Sequence, residues 1–250
     1  MREKHMIDIR RFPTRAEMGL AAAADVAAAM RRRLAAQPGL RMIFASAPSQ
    51  QEMLDALVAE PGVDWRRVTA FHMDEYHTLP ADAPQRFGPW LKRVLFDRVP
   101  IGTAHLMTPE PDAEACIRDY TRLLAEAPID FVCLGIGVNG HLAFNDPPFA
   151  DLADPVDVKI IELDPVCRRQ QADDGGFRSI EEVPRTALTL TIPRLLRADR
   201  LFCVVPGPAK RDAVRRTLND PIGTACPATA LRTHPACTLY CDVQALPDAA

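Results

Sequence analysis

Short apolar runs alternate with longer amphipathic segments along most of the chain. The apolar runs predict buried strands at 41–45, 68–73, 131–135, 186–191, 201–205 and 238–241. The segments between them predict helices at 50–59, 85–96, 112–125 and 208–218, and the capping box at 14–17 predicts another that reaches about Gln37. Continuous apolar strands separated by helices are typical of a parallel sheet covered on both faces. We therefore predict an α/β fold, a three-layer Rossmann-like domain with a largely parallel central sheet, as a single domain over residues 1–250.

Composition and charge exclude some classes of partner. The chain has 250 residues, of which 48% are hydrophobic, and its formal net charge is −3. A nucleic-acid partner normally needs a basic face, and no apolar stretch reaches membrane-spanning length, so we expect neither partner. Seven cysteines without a C-x-x-C pair, and an N-terminus without an apolar leader region, predict a cytoplasmic location. The sequence leaves open whether the chain forms a homo-oligomer.

An acidic pair, Asp74 and Glu75, directly follows the predicted strand 68–73. In sheets of this kind, ligands bind beyond the carboxyl ends of the strands. A carboxylate among apolar and aromatic residues has a raised pKa and can act as a general base, although a solvated strand end is the commoner fate of such a pair. His72 and His77 flank the pair and suggest metal ligation as an alternative. Their spacing fixes no third ligand, so we predict no metal.

A glycine-rich turn follows the predicted strand 131–135. Gly135, Gly137 and Gly140 spell the G-x-G-x-x-G dinucleotide fingerprint, but the prolines at 147–148 cut off the helix that this fingerprint requires. The alternative is that the glycines allow the backbone to approach a ligand closely. The same turn carries His141 between Asn139 and Asp146, so a carboxylate can orient the imidazole ring and tune its pKa. A purely structural histidine is the alternative.

Two turns that lead from a strand into a helix have the character of anion sites. The first contains Ser46, Ala47, Ser49 and Gln50, whose hydroxyls and free amides suit a phosphate group; simple N-capping by Ser49 is expected in either case. The second turn places Lys210 in the first turn of the following helix, where an anionic ligand would offset the unfavourable interaction with the helix dipole. Together the two turns predict a phosphorylated substrate.

The chain resembles the glucosamine-6-phosphate deaminase/isomerase family, relatives of the 6-phosphogluconolactonases. Segments 71–76 and 135–147 resemble the family's two central motifs, and 112–120, 183–190 and 226–235 resemble further landmarks in the same order. The resemblance spans about 10–243. It implies an enzyme that opens the ring of a small-molecule sugar phosphate, moves a proton between C2 and C1 and releases the C2 amine as ammonia. No cofactor is implied.

The resemblance also assigns roles to the candidate residues. Asp74 would be the base that moves the proton, and His141 would assist ring opening, held by Asn139 and Asp146. Ser46, Ser49 and Lys210 would hold the phosphate. The wider substrate-binding set comprises Ala47, Gln50, Glu75, Gly137 and Gly140, with Arg168 or Arg169 completing the phosphate site.

Several positions depart from the family pattern. Asn139 stands where the deaminases carry Asp, Asp146 stands where they carry Glu, and the glycine-and-threonine phosphate loop is replaced by 46–50. An amide stabilises an imidazolium less than a carboxylate does. These departures leave the sugar epimer open, and they keep a non-catalytic sugar-phosphate sensor as an alternative. A lactonase is a second alternative, against which the run 142–146 argues because it follows the deaminase pattern.

Overall fold

The computed structural model describes residues 7–147 and 149–246. Residues 1–6, Pro148 and 247–250 lie outside the described ranges. Two predictions fall on them: the effect of Pro148 on a following helix, and the character of the N-terminus. The strands are β1 (Asp8–Phe12), β2 (Leu40–Phe44), β3 (Val68–His72), β4 (Asp74–Tyr76), β5 (Thr103–His105), β6 (Phe131–Leu134), β7 (Val158–Glu162), β8 (Thr186–Leu190), β9 (Arg200–Val205) and β10 (Cys237–Asp242). The α-helices are α1 (Arg15–Ala36), α2 (Gln51–Ala59), α3 (Phe87–Leu91), α4 (Ala113–Ala125), α5 (Pro165–Asp173), α6 (Ile192–Leu196) and α7 (Arg211–Asn219).

The main sheet has seven strands in the order β1-β10-β9-β6-β2-β3-β5, and every neighbouring pair is parallel. Alternate residues of its central strands enter two different cores. Phe44 and Cys133 pack on one face with α1 and α2, whereas Ile43 and Val132 pack on the other face with α4. Both faces are therefore covered, as continuous apolar strands require. The predicted α/β architecture is confirmed.

The first helix begins where the sequence predicts. The Oγ1 atom of Thr14 accepts a hydrogen bond from the backbone N–H of Glu17 at 3.1 Å, and the helix runs to Ala36. Its small residues let it lie close to α2: a Cβ atom at Gly19 would lie 2.6 Å from that of Glu52. Gly19 thus permits a close contact between α1 and α2.

A second, smaller sheet is the main feature that the apolar pattern does not predict. The strand predicted at 68–73 ends at His72, and after Met73 the chain continues as β4, which pairs antiparallel with β8, while β8 pairs with β7. Met73 contributes to the change of direction, because its carbonyl accepts a hydrogen bond from Leu190 N–H at 2.7 Å. A three-residue strand has no periodicity of its own, so the sequence shows one strand where the structure has two. Asp74 is therefore the first residue of a strand in the smaller sheet, just beyond the carboxyl end of β3.

Two bulk properties bear on the sequence-based expectations. None of the helices in the described ranges is long and apolar enough to cross a membrane. All seven cysteines are free thiols.

Candidate active site

A cavity lies where the carboxyl ends of β2, β3, β6 and β9 meet. Its volume is about 590 Å³ including the part open to solvent, within the range of small-molecule sites. The predicted site residues that line it are Ser46, Ala47, Ser49, Asp74, Gly137, His141 and Lys210. Because parallel strands deliver their following loops to one edge of the sheet, residues that are far apart in sequence converge here.

Asp74 is the carboxylate that faces this cavity. It is the first residue of β4, opposite Thr189, and only 7% of its surface is exposed. Burial, and then the neighbouring charge of Glu75, raises the pKa of Asp74 well above its usual range. A carboxyl group of this kind is a stronger base once ionised than a solvated carboxylate is.

Glu75 lies on the opposite side of β4, and the structure does not place it against the cavity. Its carboxylate accepts backbone hydrogen bonds from Tyr76, Phe87 and Gly88 at 2.9, 3.1 and 3.0 Å. Burial raises the pKa of Glu75 to about 7 despite these bonds. The predicted substrate contact is therefore corrected to a structural role: adjacent strand residues point to opposite faces, and Glu75 holds the start of α3.

The His141 ring is held from behind by the two predicted partners. Its Nδ1 atom lies 2.7 Å from Oδ1 of Asp146, and that same oxygen accepts a hydrogen bond from Asn139 Nδ2 at 3.0 Å. The side-chain oxygen of Asn139 accepts the His141 backbone N–H at 3.1 Å. Burial opposes ionisation of Asp146, but hydrogen bonding and charge from His141 outweigh it, and the pKa of Asp146 is lowered. An ionised carboxylate thus orients the imidazole.

Gly137 allows this ring to lie directly against the backbone. A Cβ atom at Gly137 would lie 2.1 to 2.3 Å from three atoms of the His141 ring. Gly140 has a different role: its φ is +88° and a Cβ atom there would meet Cys226 Sγ at 2.5 Å, so it shapes the turn without lining the cavity. Residues 141–147 form turns, so within this stretch no helix follows the glycines, and the dinucleotide alternative lacks its structural context.

The predicted phosphate loop, 46–50, ends in a 3₁₀ turn at Pro48–Gln50. Ser49 lies within this turn and does not cap it; its Oγ accepts a hydrogen bond from Gln50 Nε2 at 3.1 Å, which corrects the expected N-cap. Gln50 is fully buried and also donates to the Val204 carbonyl at 3.1 Å, so it supports the loop from below and does not contact the cavity.

Lys210 brings positive charge to the same end of the cavity. It precedes α7, at the end of the short 3₁₀ helix Pro208–Lys210. Burial lowers the pKa of its ammonium group, although the nearby carboxylate of Asp174 opposes the shift. The ammonium group thus has less contact with water than a surface lysine has, which strengthens its attraction for an anion.

The predicted arginines do not complete this site. Arg168 donates to the backbone carbonyls of Ile180 and Val183 at 2.6 and 2.9 Å, and Arg169 is exposed and lies outside the cavity lining. The same segment instead presents Gln170, Gln171 and Asp174 to the cavity. Sequence reasoning missed these three, although Asp174 follows Gln170 by four residues and Gln171 by three, which are spacings that share a helix face.

The metal alternative at His72 and His77 finds no support in the side-chain contacts. His72 is fully buried and accepts the Met107 N–H at Nε2, whereas Nδ1 of His77 lies 3.3 Å from the Thr186 hydroxyl. Among the described residues, one group of three possible ligands lies close together: His141, Asp146 and Cys167, with ligand atoms within 4.8 Å of one another.

That group is not arranged around an ion. Two ligands of a tetrahedral zinc ion lie about 3.3 Å apart, given bond lengths near 2.0 Å. The 2.7 Å contact between His141 and Asp146 has the length of a hydrogen bond instead. The prediction of a metal-free site stays a prediction.

Comparison with known proteins identifies the family. The model for glucosamine-6-phosphate isomerases/6-phosphogluconolactonase matches residues 13–156. A glucosamine-6-phosphate deaminase of Halothermothrix orenii is 33% identical over 199 residues, which cover 78% of this chain and 80% of that protein. The chain belongs to this family. A glucosamine-6-phosphate deaminase of Streptococcus pneumoniae is 32% identical over 192 residues, covering 76% of this chain and 79% of that protein.

Solved structures of similar proteins share the fold of this chain. A monomeric glucosamine-6-phosphate deaminase superimposes with a TM-score of 0.87 at 26% identity, covering 96% of this chain and 98% of that one. A putative 6-phosphogluconolactonase of Neisseria gonorrhoeae has a TM-score of 0.74 at 16% identity, covering 95% and 100% of the two chains, and shares the fold alone. The family resemblance drawn from segments 71–76 and 135–147 is confirmed.

Proposed function

We propose that this protein is an amino-sugar-phosphate deaminase. It converts glucosamine 6-phosphate, or a close epimer, and water to a ketose 6-phosphate and ammonia. The observation that carries the proposal is one cavity lined by a buried carboxylate, Asp74, by an imidazole paired with an ionised carboxylate, His141, and by a lysine, Lys210. A base, a ring-opening group and a phosphate site are the three requirements of this reaction.

Asp74 moves the proton. The free carboxyl group has a raised pKa, and the ammonium group of a bound amino sugar favours its ionised form by opposite charge. The carboxylate then takes the C2 proton of the opened sugar, which leaves an enolamine, and returns the proton to C1. Water hydrolyses the resulting C2 imine to the ketone, and ammonia leaves. A buried group suits this shuttle because water does not compete for the proton.

His141 assists ring opening at the ring oxygen. The contact with Asp146 fixes the orientation of the imidazole, while Gly137 leaves space for the ring at the cavity wall. Asn139 contributes hydrogen bonds and not charge, so Asp146 is the charged residue that holds the imidazole ring.

The phosphate lies at the end of the cavity formed by Ser46, Ser49 and Lys210. In the free protein the Ser46 hydroxyl donates its proton to the Phe87 carbonyl at 3.1 Å, so a phosphate has to displace that hydrogen bond. The Ser49 hydroxyl accepts from Gln50 and keeps its own proton for the ligand. Gln171 supplies an amide group beside it; its oxygen already accepts the Tyr76 hydroxyl at 2.8 Å, which leaves its NH₂ group as the donor.

The test is a coupled assay for ammonia and fructose 6-phosphate on addition of glucosamine 6-phosphate. We expect both products in equal amounts, and loss of turnover with retained phosphate-dependent binding in Asp74→Asn. Unchanged turnover in that variant contradicts the mechanism. Hydrolysis of 6-phosphogluconolactone without ammonia release would favour the lactonase alternative, and binding without either reaction would favour a sensor.

We also propose that the protein acts in the cytoplasm. Its seven free cysteines support this proposal, because a reducing compartment keeps thiols free. A homo-oligomer stays a prediction that sedimentation velocity tests, and the single domain over 1–250 is likewise proposed.

A further inference from the structure

Asp146 has one carboxylate oxygen that the site described above does not explain. Its Oδ1 atom accepts a hydrogen bond from Asn139 and lies 2.7 Å from Nδ1 of His141. Its Oδ2 atom is buried and accepts no geometric hydrogen bond from any described residue. An unpartnered oxygen on a buried, ionised carboxylate is costly, and such groups normally have a donor within reach.

The thiol of Cys167 is the side chain placed to supply that donor. Its Sγ atom belongs to the group in which all ligand atoms of His141, Asp146 and Cys167 lie within 4.8 Å of one another. Cys167 is fully buried in the first turn of α5.

The protonation states of the two groups are complementary. Burial, and then the negative charge of Asp146, raises the pKa of the Cys167 thiol well above its usual range, so the thiol keeps its proton and acts as a donor. In return, hydrogen bonding to Cys167 is among the effects that lower the pKa of Asp146.

We propose that Cys167 is a positioning residue, whose thiol donates to Oδ2 of Asp146 and fixes the carboxylate that orients His141. The inference rests on the proposed role of His141 in ring opening. It also links α5 to the reaction centre, because the same helix presents Gln170 and Gln171 to the cavity. Cys167 also packs in an apolar cluster with Phe144 and Leu163, so its role as a donor has to be tested separately from its volume.

Three variants distinguish the role of the Cys167 thiol as a hydrogen-bond donor from its role in filling space. Cys167→Val removes the donor at nearly constant volume, and Cys167→Ser keeps a hydroxyl donor. Cys203→Val is the matched control, because that cysteine is also fully buried but does not belong to the group around Asp146 and His141. In Cys167→Val we expect kcat to fall about fivefold to tenfold with little change in KM, as for loss of a weak charge-assisted hydrogen bond. Cys167→Ser should keep its kcat within about twofold of the wild type, because its hydroxyl group can still donate a hydrogen bond.

The pH dependence of kcat/KM distinguishes a positioning role of Cys167 from a purely structural one. Loss of the thiol raises the pKa of Asp146, so the acid limb of kcat/KM should move to higher pH in Cys167→Val and stay in place in Cys203→Val. Wild-type kcat and an unmoved acid limb in Cys167→Val overturn the proposal. So does an equal loss in both valine variants.

Nitrogen-15 NMR of the His141 ring tests the same contact without turnover. We expect its Nδ1 resonance to move in Cys167→Val and to keep the wild-type position in Cys203→Val; an unmoved resonance refutes the contact. If the protein proves inactive on every sugar phosphate, the proposed function fails while this readout still decides the role of Cys167. Should Cys167→Val fail to fold, the smaller Cys167→Ala takes its place in both measurements.

Discussion

Replacing Gly137 with alanine tests whether the position of the His141 ring controls turnover. The added Cβ atom would lie 2.1, 2.2 and 2.3 Å from Nε2, Cε1 and Cδ2 of the ring. Ordinary contact begins at 3.4 Å, so the ring has to retreat by about 1.3 Å. The turn gives little help, because the Gly137 N–H is already bonded to the His141 carbonyl at 2.9 Å.

A displacement of this size alters the reaction more than the fold. Misplacing a catalytic group by about 1 Å costs about 10²-fold in rate, which corresponds to about 2.7 kcal/mol of barrier. Overpacking of this kind lowers the free energy of unfolding by about 1 to 3 kcal/mol. We therefore expect Gly137→Ala to fold, to bind sugar phosphate and to turn over about a hundredfold more slowly.

The measurement is kcat in the coupled ammonia and fructose 6-phosphate assay, with thermal unfolding recorded in parallel. Gly223→Ala is the matched control, because no atom lies within 4 Å of its added Cβ. The control should keep its kcat within about twofold. The reasoning is refuted if Gly137→Ala is folded and retains more than half of the wild-type kcat.

Other substitutions and conditions test the remaining assignments. Lys210→Met should raise KM about tenfold or more with a smaller change in kcat, because a charged partner of the phosphate is lost; Lys92→Met, at an exposed ion pair, should change neither, and an equal effect in both would refute the assignment. The raised pKa of Asp74 means that the folded state binds its proton more tightly than the unfolded state, so stability contributed by this group declines as pH rises through the range between the two pKa values. Asp74→Asn should therefore unfold at a higher temperature than the wild type at pH 8, with a smaller difference at pH 4, and a lower melting temperature at pH 8 contradicts this sign. Treatment with EDTA should leave turnover intact; loss of activity that a divalent ion restores would revive a metal at this site.

Local sequence patterns predicted much of the architecture and the location of the chemistry. Apolar runs such as 131–135 predicted buried parallel strands because both faces of such strands must avoid water. The Thr14 capping box predicted the start of α1 because its hydrogen bond joins residues only three apart. Asp74 and His141 were predicted at strand ends, and parallel strands bring such ends to one edge.

Other features depended on contacts between residues distant in the sequence. The pairing of Asp74 with Thr189 spans more than a hundred residues, and no local pattern encodes it. It is this pairing that turns Asp74 toward the cavity and Glu75 away from it. Arg168 looked like a free cation in the sequence, but the loop near Val183 folds back and takes its hydrogen bonds.

Whether the sequence alone predicts a feature depends on how far apart in the chain the interacting residues lie. Periodicity, capping and turn chemistry act within a few residues, so the sequence by itself determined the longer central strands, several of the helices and the loops that carry reactive groups. The direction of a side chain and the identity of its partner depend on which strands and helices pack together. Only the tertiary structure could therefore place Cys167 beside Asp146. It likewise decided that Gln171 lines the cavity and that Arg168 and Arg169 do not.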